Sequence, residues 1–250
     1  GDVYKRQVLY QGTPPEAWST ATVVEIFKGK GSHSDPEMYR PISLLNTAYK
    51  IFARIIQTRM AEALDHKLRN TQWGFRASRS CIQPLYILHR LQEMAMEEDG
   101  PFYMLFLDWE KAFDKISHSG LHSALESFGL DPMYLKLIDA IYATPQFTVA
   151  AGGQESTTHT AHTGIRQGCP LSPYLFLFVH STIMNLVDTK VEEKLGYIPW
   201  VHSANTPMTQ LAYADDTLVV GRNASTVTLI LQTIEAVSYT HLTLPTNREV

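Results

Sequence analysis

The stretch Leu211-Ala212-Tyr213-Ala214-Asp215-Asp216-Thr217-Leu218-Val219-Val220 sets two adjacent carboxylates between two short apolar, β-prone runs. It reads as strand, two-residue acidic tip, strand. A polar tip between buried strands is ordinarily a solvated turn and makes no chemical demand. Asp-Asp, however, lacks the following glycine that tight hairpins favour. Carboxylates side by side also repel each other unless a cation lies between them. On its own the stretch leaves a plain turn and a metal site both open.

Working outward, Phe102 to Leu107 is an unbroken apolar run, the pattern of a strand buried on both faces, and it ends in Asp108. A carboxylate there is costly unless paired or bound to a cation. If the two strands are neighbours in one sheet, Asp108, Asp215 and Asp216 converge. An oxygen-only ligand set favours Mg²⁺ or Mn²⁺ over zinc. Two such ions form a clamp suited to in-line phosphoryl transfer.

Upstream, Ala21 to Phe27 reads as a strand and Arg40 to Leu45 as its return, with Lys28-Gly29-Lys30-Gly31 opening the connection. Asn46 can cap a helix running to about Lys67, with Ile51, Ile55, Ile56, Met60, Ala63 and Leu64 at helical spacing. A loop covers Asn70 to Arg79. Ser80 can cap a second helix, which Asp99-Gly100-Pro101 ends. Ser119 to Phe128 is helical with Gly129 as its stop, and Asp131-Pro132 opens another helix to about Tyr142. Gln146 to Ala151 and Ser156 to Thr163 read as a hairpin, Gly164 to Pro173 as a loop, Tyr174 to about Val187 as a buried helix, and Ser225 to Glu235 as the start of a last one.

The 250 residues, 44% hydrophobic, suit one large domain or two small ones. No apolar run reaches membrane-span length, and no signal peptide pattern opens the chain, so no membrane partner is expected. Cys81 and Cys169 lack metal-ligand spacing and read as free thiols in a reducing compartment. The net charge of -4 provides no basic footprint for nucleic acid. His159 and His162 fall on opposite faces of a strand, and His118 and His122, though at helical spacing, have no third ligand nearby.

Five motifs in order carry a family resemblance. Leu107-Asp108-Trp109-Glu110-Lys111-Ala112-Phe113-Asp114-Lys115-Ile116 resembles the first catalytic motif of reverse transcriptases, and Tyr213-Ala214-Asp215-Asp216 their second. Gly164-Ile165-Arg166-Gln167-Gly168-Cys169-Pro170-Leu171-Ser172-Pro173 resembles their nucleotide-site loop. Arg40-Pro41-Ile42-Ser43-Leu44-Leu45 and Gln72-Trp73-Gly74-Phe75-Arg76 resemble upstream motifs of the non-LTR, LINE-type branch.

The resemblance implies an α+β fold: right-hand polymerase fingers and palm, an antiparallel palm sheet packed with helices, and a thumb absent. It implies an RNA-directed DNA polymerase that uses two Mg²⁺ or Mn²⁺ ions, an RNA template, a DNA primer and a dNTP. The expected setting is intracellular, in nucleus and cytoplasm if the host is eukaryotic. By matching motifs, Asp108, Asp215 and Asp216 would be catalytic metal ligands. Arg40 would meet the triphosphate, Trp109 would lend its backbone carbonyl, and Gln167 and Gly168 would lie against the nucleotide. Phe113 falls at the sugar-gate position, with a core phenylalanine as the alternative. Lys28 and Lys30 would approach triphosphate or template, and Arg76 and Arg79 template phosphates, unless these four are simply surface charges. A group II intron or retron-type enzyme, or a nucleic-acid-binding remnant without activity, are the other readings.

The two ends form a separate case, leaving residues 8–236 as the domain. Asp2 to Gln7 back-translates, with permitted codons, to GATGTGTATAAGAGACAG. Its reverse complement, read after a single G, encodes Ala-Val-Ser-Tyr-Thr-His and the start of a Leu codon, which is Ala236 to Leu242. The string resembles the transposase end used in DNA library preparation. Residues 1–7 and 237–250 therefore read as adapter-derived, and are expected to pack poorly and to join no sheet.

Overall fold

Helices and strands are interspersed along the described residues of the computed structural model, which are 2–199, 201–203, 206–241 and 246–249, with side chains at 7–199, 201 and 208–238. The order is α1 (Asp2–Gln11), β1 (Thr20–Phe27), β2 (Tyr39–Leu44), α2 (Thr47–Leu64), α3 (Ile82–Glu97), β3 (Tyr103–Trp109), α4 (His118–Ser127), α5 (Pro132–Tyr142), β4 (Gln146–Ala151), β5 (Gln154–Glu155), β6 (His159–Thr160), α6 (Ser172–Leu195), β7 (Val201–Ser203), β8 (Thr206–Met208), β9 (Gln210–Tyr213), β10 (Asp216–Gly221), α7 (Ala224–His241) and β11 (Thr246–Glu249). The chain divides into two compact units, 1–64 with 116–175 and 65–115 with 176–250.

In the first unit β1 pairs with β2 antiparallel, Ile26 opposite Arg40, and with β4 parallel, Thr20 opposite Gln146. Local signals set the helices here. Asn46 Oδ1 accepts the Ala48 N–H, Ser117 Oγ the Gly120 N–H and Asp131 Oδ1 the Met133 N–H, each satisfying a donor the helix start leaves free. Gly129 ends α4 at φ 74°. The buried stripe of α2 is Tyr49, Phe52, Ala53, Ile56, Met60 and Leu64. Ile51, expected inside, faces solvent, because the true stripe starts with an aromatic at Tyr49. Trp18 packs against Tyr49 and Phe52 at ring distances of 5.7 and 5.2 Å. Burial raises the Tyr49 phenol well above its ordinary pKa, so it serves as a neutral donor or acceptor beside Cys169 Sγ at 3.4 Å.

The second unit is built on a sheet in the order β11-β3-β10-β9, all neighbours antiparallel. Its chain order, β3, α6, β9, β10, α7, β11, is a split β-α-β arrangement. Trp73, Leu91, Val201, Met208, Leu211, Leu218 and Val220 form one core cluster, with Ile87, Leu88 and Phe102 against it.

Three expectations are corrected here. β3 is not buried on both faces: Leu105, Leu107 and Trp109 are buried, whereas Met104, Phe106 and Asp108 are exposed. It lies next to the sheet's edge, where an apolar run alone cannot say which face is covered. Ser80 does not cap α3 through its side chain. The helix starts from Cys81 without a side-chain cap, and the Ser80 N–H bonds Gln83 Oε1 instead. The hairpin tip is Ala214-Asp215, not Asp215-Asp216, because Tyr213 pairs with Asp216.

The ends behave differently from expectation as well. Residues 2–7 continue into α1, α7 runs to His241, and 246–249 pair with β3, Asn247 opposite Asp108. The physical reason is general: α7 returns the chain to the free edge of β3, and unpaired ladder groups there accept any extended segment. Val237 and Ser238 are fully buried, against the expectation that this end packs poorly, while the side chains of Tyr239, Leu242 and Leu244 lie outside the described ones.

Candidate active site

The register of β3 and β10 pairs Thr217 with Leu107, and its next step sets Asp216 across from Asp108. Cross-strand neighbours in an antiparallel sheet share a face. Asp108 and Asp216 thus stand on the face whose Met104 and Phe106 are open, both carboxylates exposed, while Asp215 occupies the turn and is half-buried. The register sets Asp108 and Asp216 side by side at one end of the sheet, with Asp215 next in the chain. Among the described residues, no three His, Cys, Asp or Glu side chains already converge on one point.

On the opposite face the two strands are tied together. Trp109 Nε1 donates to Thr217 Oγ1 at 3.0 Å, and His180 Nε2 lies 3.1 Å from the same oxygen. The Trp109 and His180 rings meet edge-on at 5.8 Å. Trp109 thus keeps its ring in the core, so only its main chain is available to a ligand. His180 is fully buried, and desolvation, with Arg69 adding to it, pushes its pKa down to about 3. A base whose folded-state pKa is depressed stays neutral when folded and takes up a proton only on unfolding. Stability is complete above about 6.5 and falls as the pH drops from there toward 3, by about 1.4 kcal/mol per unit. His180→Gln is expected to flatten that slope in urea melts at pH 7 and pH 5. An unchanged difference between the two pH values would remove His180 from the account.

The Gln72-Trp73-Gly74 segment lies along the outer edge of β9. Ala212 N–H donates to Thr71 O at 2.8 Å and Trp73 N–H to Ala212 O at 2.9 Å. The Gln72 side chain reaches the hairpin tip, a role that sequence reasoning missed. Its advance sign was its place at the head of the Gln72-Trp73-Gly74-Phe75-Arg76 motif.

Arg76 is corrected as a template contact. It is buried, and it chelates Asp65 through Nε and Nη2 while Nη1 serves the Arg69 and Gln72 carbonyls at 2.8 and 3.2 Å. All its donors are spent inside the unit. Arg79 is half-buried, donates to the Asn70 and Gln72 carbonyls and sits over Trp73. It too braces the loop.

Phe113 is half-buried and stacks on Phe176 at 5.4 Å with 16° between planes. Lys115 Nζ bonds Glu110 at 2.7 Å, and that contact lowers the Glu110 carboxyl.

The first unit carries the other named residues. Arg40, Lys28 and Lys30 are exposed on or beside the β1–β2 hairpin, where Lys28 Nζ donates to Glu37 O. The loop before α6 docks on β2: Ser43 N–H donates to Gln167 O at 2.7 Å. Gly168 has φ 101°, and a Cβ there would stand 2.8 Å from Ser43 O, so glycine is needed twice over. His118 bonds Gly164 O and His122 bonds Asp139, two separate contacts and no shared metal pair.

A family model described as reverse transcriptase (RNA-dependent DNA polymerase) matches residues 28–244. The chain belongs to the reverse transcriptase family. The RNA-directed DNA polymerase from mobile element jockey of Drosophila melanogaster is 28% identical over 221 residues, 87% of this chain and 23% of that protein. A Pol polyprotein from the type-1 retrotransposable element R2 of Popillia japonica is 25% identical over 90% of the chain and 31% of its own length. The chain spans only 15% to 31% of such relatives. Those element names agree with the LINE-type resemblance of the upstream motifs. Among solved structures, apo telomerase from Candida tropicalis aligns with a TM-score of 0.61 at 14% identity, over 99% of this chain and 54% of that one. That likeness gives the fold, the fingers and palm of the family.

Proposed function

We propose that this domain is the catalytic core of a non-LTR retrotransposon RNA-directed DNA polymerase. It extends a DNA 3′-hydroxyl with deoxynucleoside triphosphates on an RNA template. The observation that carries the reading is the β3–β10 register, which sets Asp108 beside the Asp215-Asp216 strand start. The donor set, all carboxylate oxygen, fits hard divalent cations. Asp108, Asp215 and Asp216 would hold Mg²⁺ or Mn²⁺. Such ions supply charge neutralisation on the phosphates and a more acidic primer hydroxyl. The protein's own part is to hold three like charges at one sheet end, Asp108 and Asp216 from paired strands and Asp215 from the turn. Arg40, Gln167 and Gly168 are assigned to the incoming nucleotide by their motif positions, with Lys28 and Lys30 near its phosphates or the template.

The test is primer extension on poly(rA)/oligo(dT) with Mg²⁺ or Mn²⁺, using this chain and a longer version with natural downstream sequence. Extension that stops with EDTA and returns with metal supports the reading. No extension by either version overturns it.

Phe113 is proposed to gate the sugar. Its ring is held flat by Phe176, five residues beyond Asp108, so it presents a fixed wall to a 2′-hydroxyl. Phe113→Val is expected to raise ribonucleotide incorporation relative to deoxyribonucleotide by roughly 10- to 100-fold, the worth of removing a steric clash of ~1–3 kcal/mol. An unchanged ratio in competition assays returns Phe113 to the core.

The adapter reading of residues 1–7 and 237–250 rests on the reciprocal coding of Asp2 to Gln7 and Ala236 to Leu242. Sequencing the source DNA beyond both ends tests it. An intracellular setting, with nucleus and cytoplasm if the host is eukaryotic, is proposed alongside this reaction and is tested by imaging a tagged natural protein.

A further inference from the structure

Ala214 has φ 57°, a left-handed conformation that alanine adopts reluctantly, and it directly precedes Asp215. Of the two tip residues, Ala214 and Asp215, only Ala214 has positive φ, a backbone setting that normally takes glycine. Something outside the turn must hold it. Gln72, completely buried, does so from both sides: Nε2 donates to Ala214 O at 3.0 Å, and Oε1 accepts the Ala214 N–H at 2.9 Å. The same Oε1 accepts the Gly74 N–H at 2.9 Å. The amide orientation is unambiguous, because a flipped group would point its NH₂ at two N–H donors.

We infer that Gln72 is a positioning residue that sets the backbone from which the Asp215 carboxylate projects. This rests on the reading of Asp215 as a metal ligand. Gln72 touches no substrate. It saturates both polar groups of the strained residue beside the carboxylate, so the turn cannot relax to a right-handed conformation without breaking buried hydrogen bonds. The segment is anchored in turn by the Thr71 and Trp73 bonds to Ala212, which fix Gln72 against β9.

Two substitutions test this in the same protein used for extension. Gln72→Met keeps the side-chain length and removes all three bonds. Gln72→Glu keeps the acceptor for both N–H groups, removes the donor to Ala214 O and adds a charge beside Asp215. A displacement of about 1 Å costs on the order of 100-fold in rate. Gln72→Met is therefore expected to lower kcat roughly 10- to 100-fold and to raise the Mg²⁺ concentration for half-maximal rate about tenfold, with KM for dNTP little changed. The Ala214 amide should lose hydrogen-exchange protection. A role confined to stability would reduce the folded fraction and leave the Mg²⁺ requirement of the folded molecules where it was. Should Gln72→Met fail to fold, Gln72→Glu decides by the same Mg²⁺ titration. A Mg²⁺ midpoint within about twofold of the parent in the folded variant overturns the inference. Asp215→Asn run alongside separates the two ideas: retained extension there defeats the active-site reading, whereas its loss together with a parent-like Gln72 variant defeats only the clamp.

Discussion

Asp215→Asn is expected to lower primer extension by about a thousandfold or more, some 4 kcal/mol of barrier, while the thermal midpoint stays close to that of the parent. The substitution changes charge and not shape. Asp215 is half-buried at the tip of the β9–β10 hairpin, and the main chain of the preceding Ala214 is held by Gln72. Removing one of three like charges also relieves repulsion at the sheet end. Asp108→Asn should behave alike, since it stands exposed at the matching position on β3. The measurement is single-turnover extension with excess Mg²⁺, paired with a thermal melt. Extension within about tenfold of the parent would show that the reaction does not use this carboxylate. A collapsed melt would show instead that Asp215 serves the fold.

What the sequence reveals of this arrangement depends on how local each cause is. Helix starts at Asn46 and Asp131 are legible because a cap acts within three residues of itself, whereas the Ser117 cap sets its helix start one residue ahead of the expected Ser119. The pairing of β3 with β10 is legible as a condition, because one run ends and the other begins at a carboxylate, and a shared cation requires the two to be neighbours. Arg76 is not legible: an arginine in a loop looks like a free cation until Asp65, on a separate turn, occupies its fork. The open face of β3 is hidden for a related reason, since exposure of Phe106 is decided by which neighbour covers the sheet and not by the strand itself. The hairpin tip falls one residue from its expected place because Ala214 adopts a conformation that only a distant side chain, Gln72, makes tolerable. Pairing of β11 shows the converse, that an open edge selects for extended backbone with little regard to sequence.

Gly74→Ala should be the most damaging single-methyl change in the second unit. A Cβ at Gly74 would stand 2.1 Å from Ala214 N, 2.7 Å from its Cα and 2.9 Å from its Cβ. Two of these atoms are main chain, so no rotamer change can make room. The φ of Gly74 is not in the left-handed region, so the penalty is contact and not conformational strain. Alanine would gain about 0.4–1 kcal/mol by narrowing the unfolded ensemble. Overpacking of this kind costs about 3 kcal/mol and outweighs that gain. Relief requires Gly74 and Ala214 to move apart, which breaks the Gln72 contacts and turns Asp215 out of place. The thermal midpoint should fall by roughly 6–10 °C, and the molecules that still fold should extend primers poorly. Gly100→Ala is the comparison: its new methyl meets nothing nearer than 3.7 Å, and its midpoint should hardly move. A Gly74→Ala protein melting within about 2 °C of the parent, at normal activity, would show that the loop and the hairpin tip are not locked together.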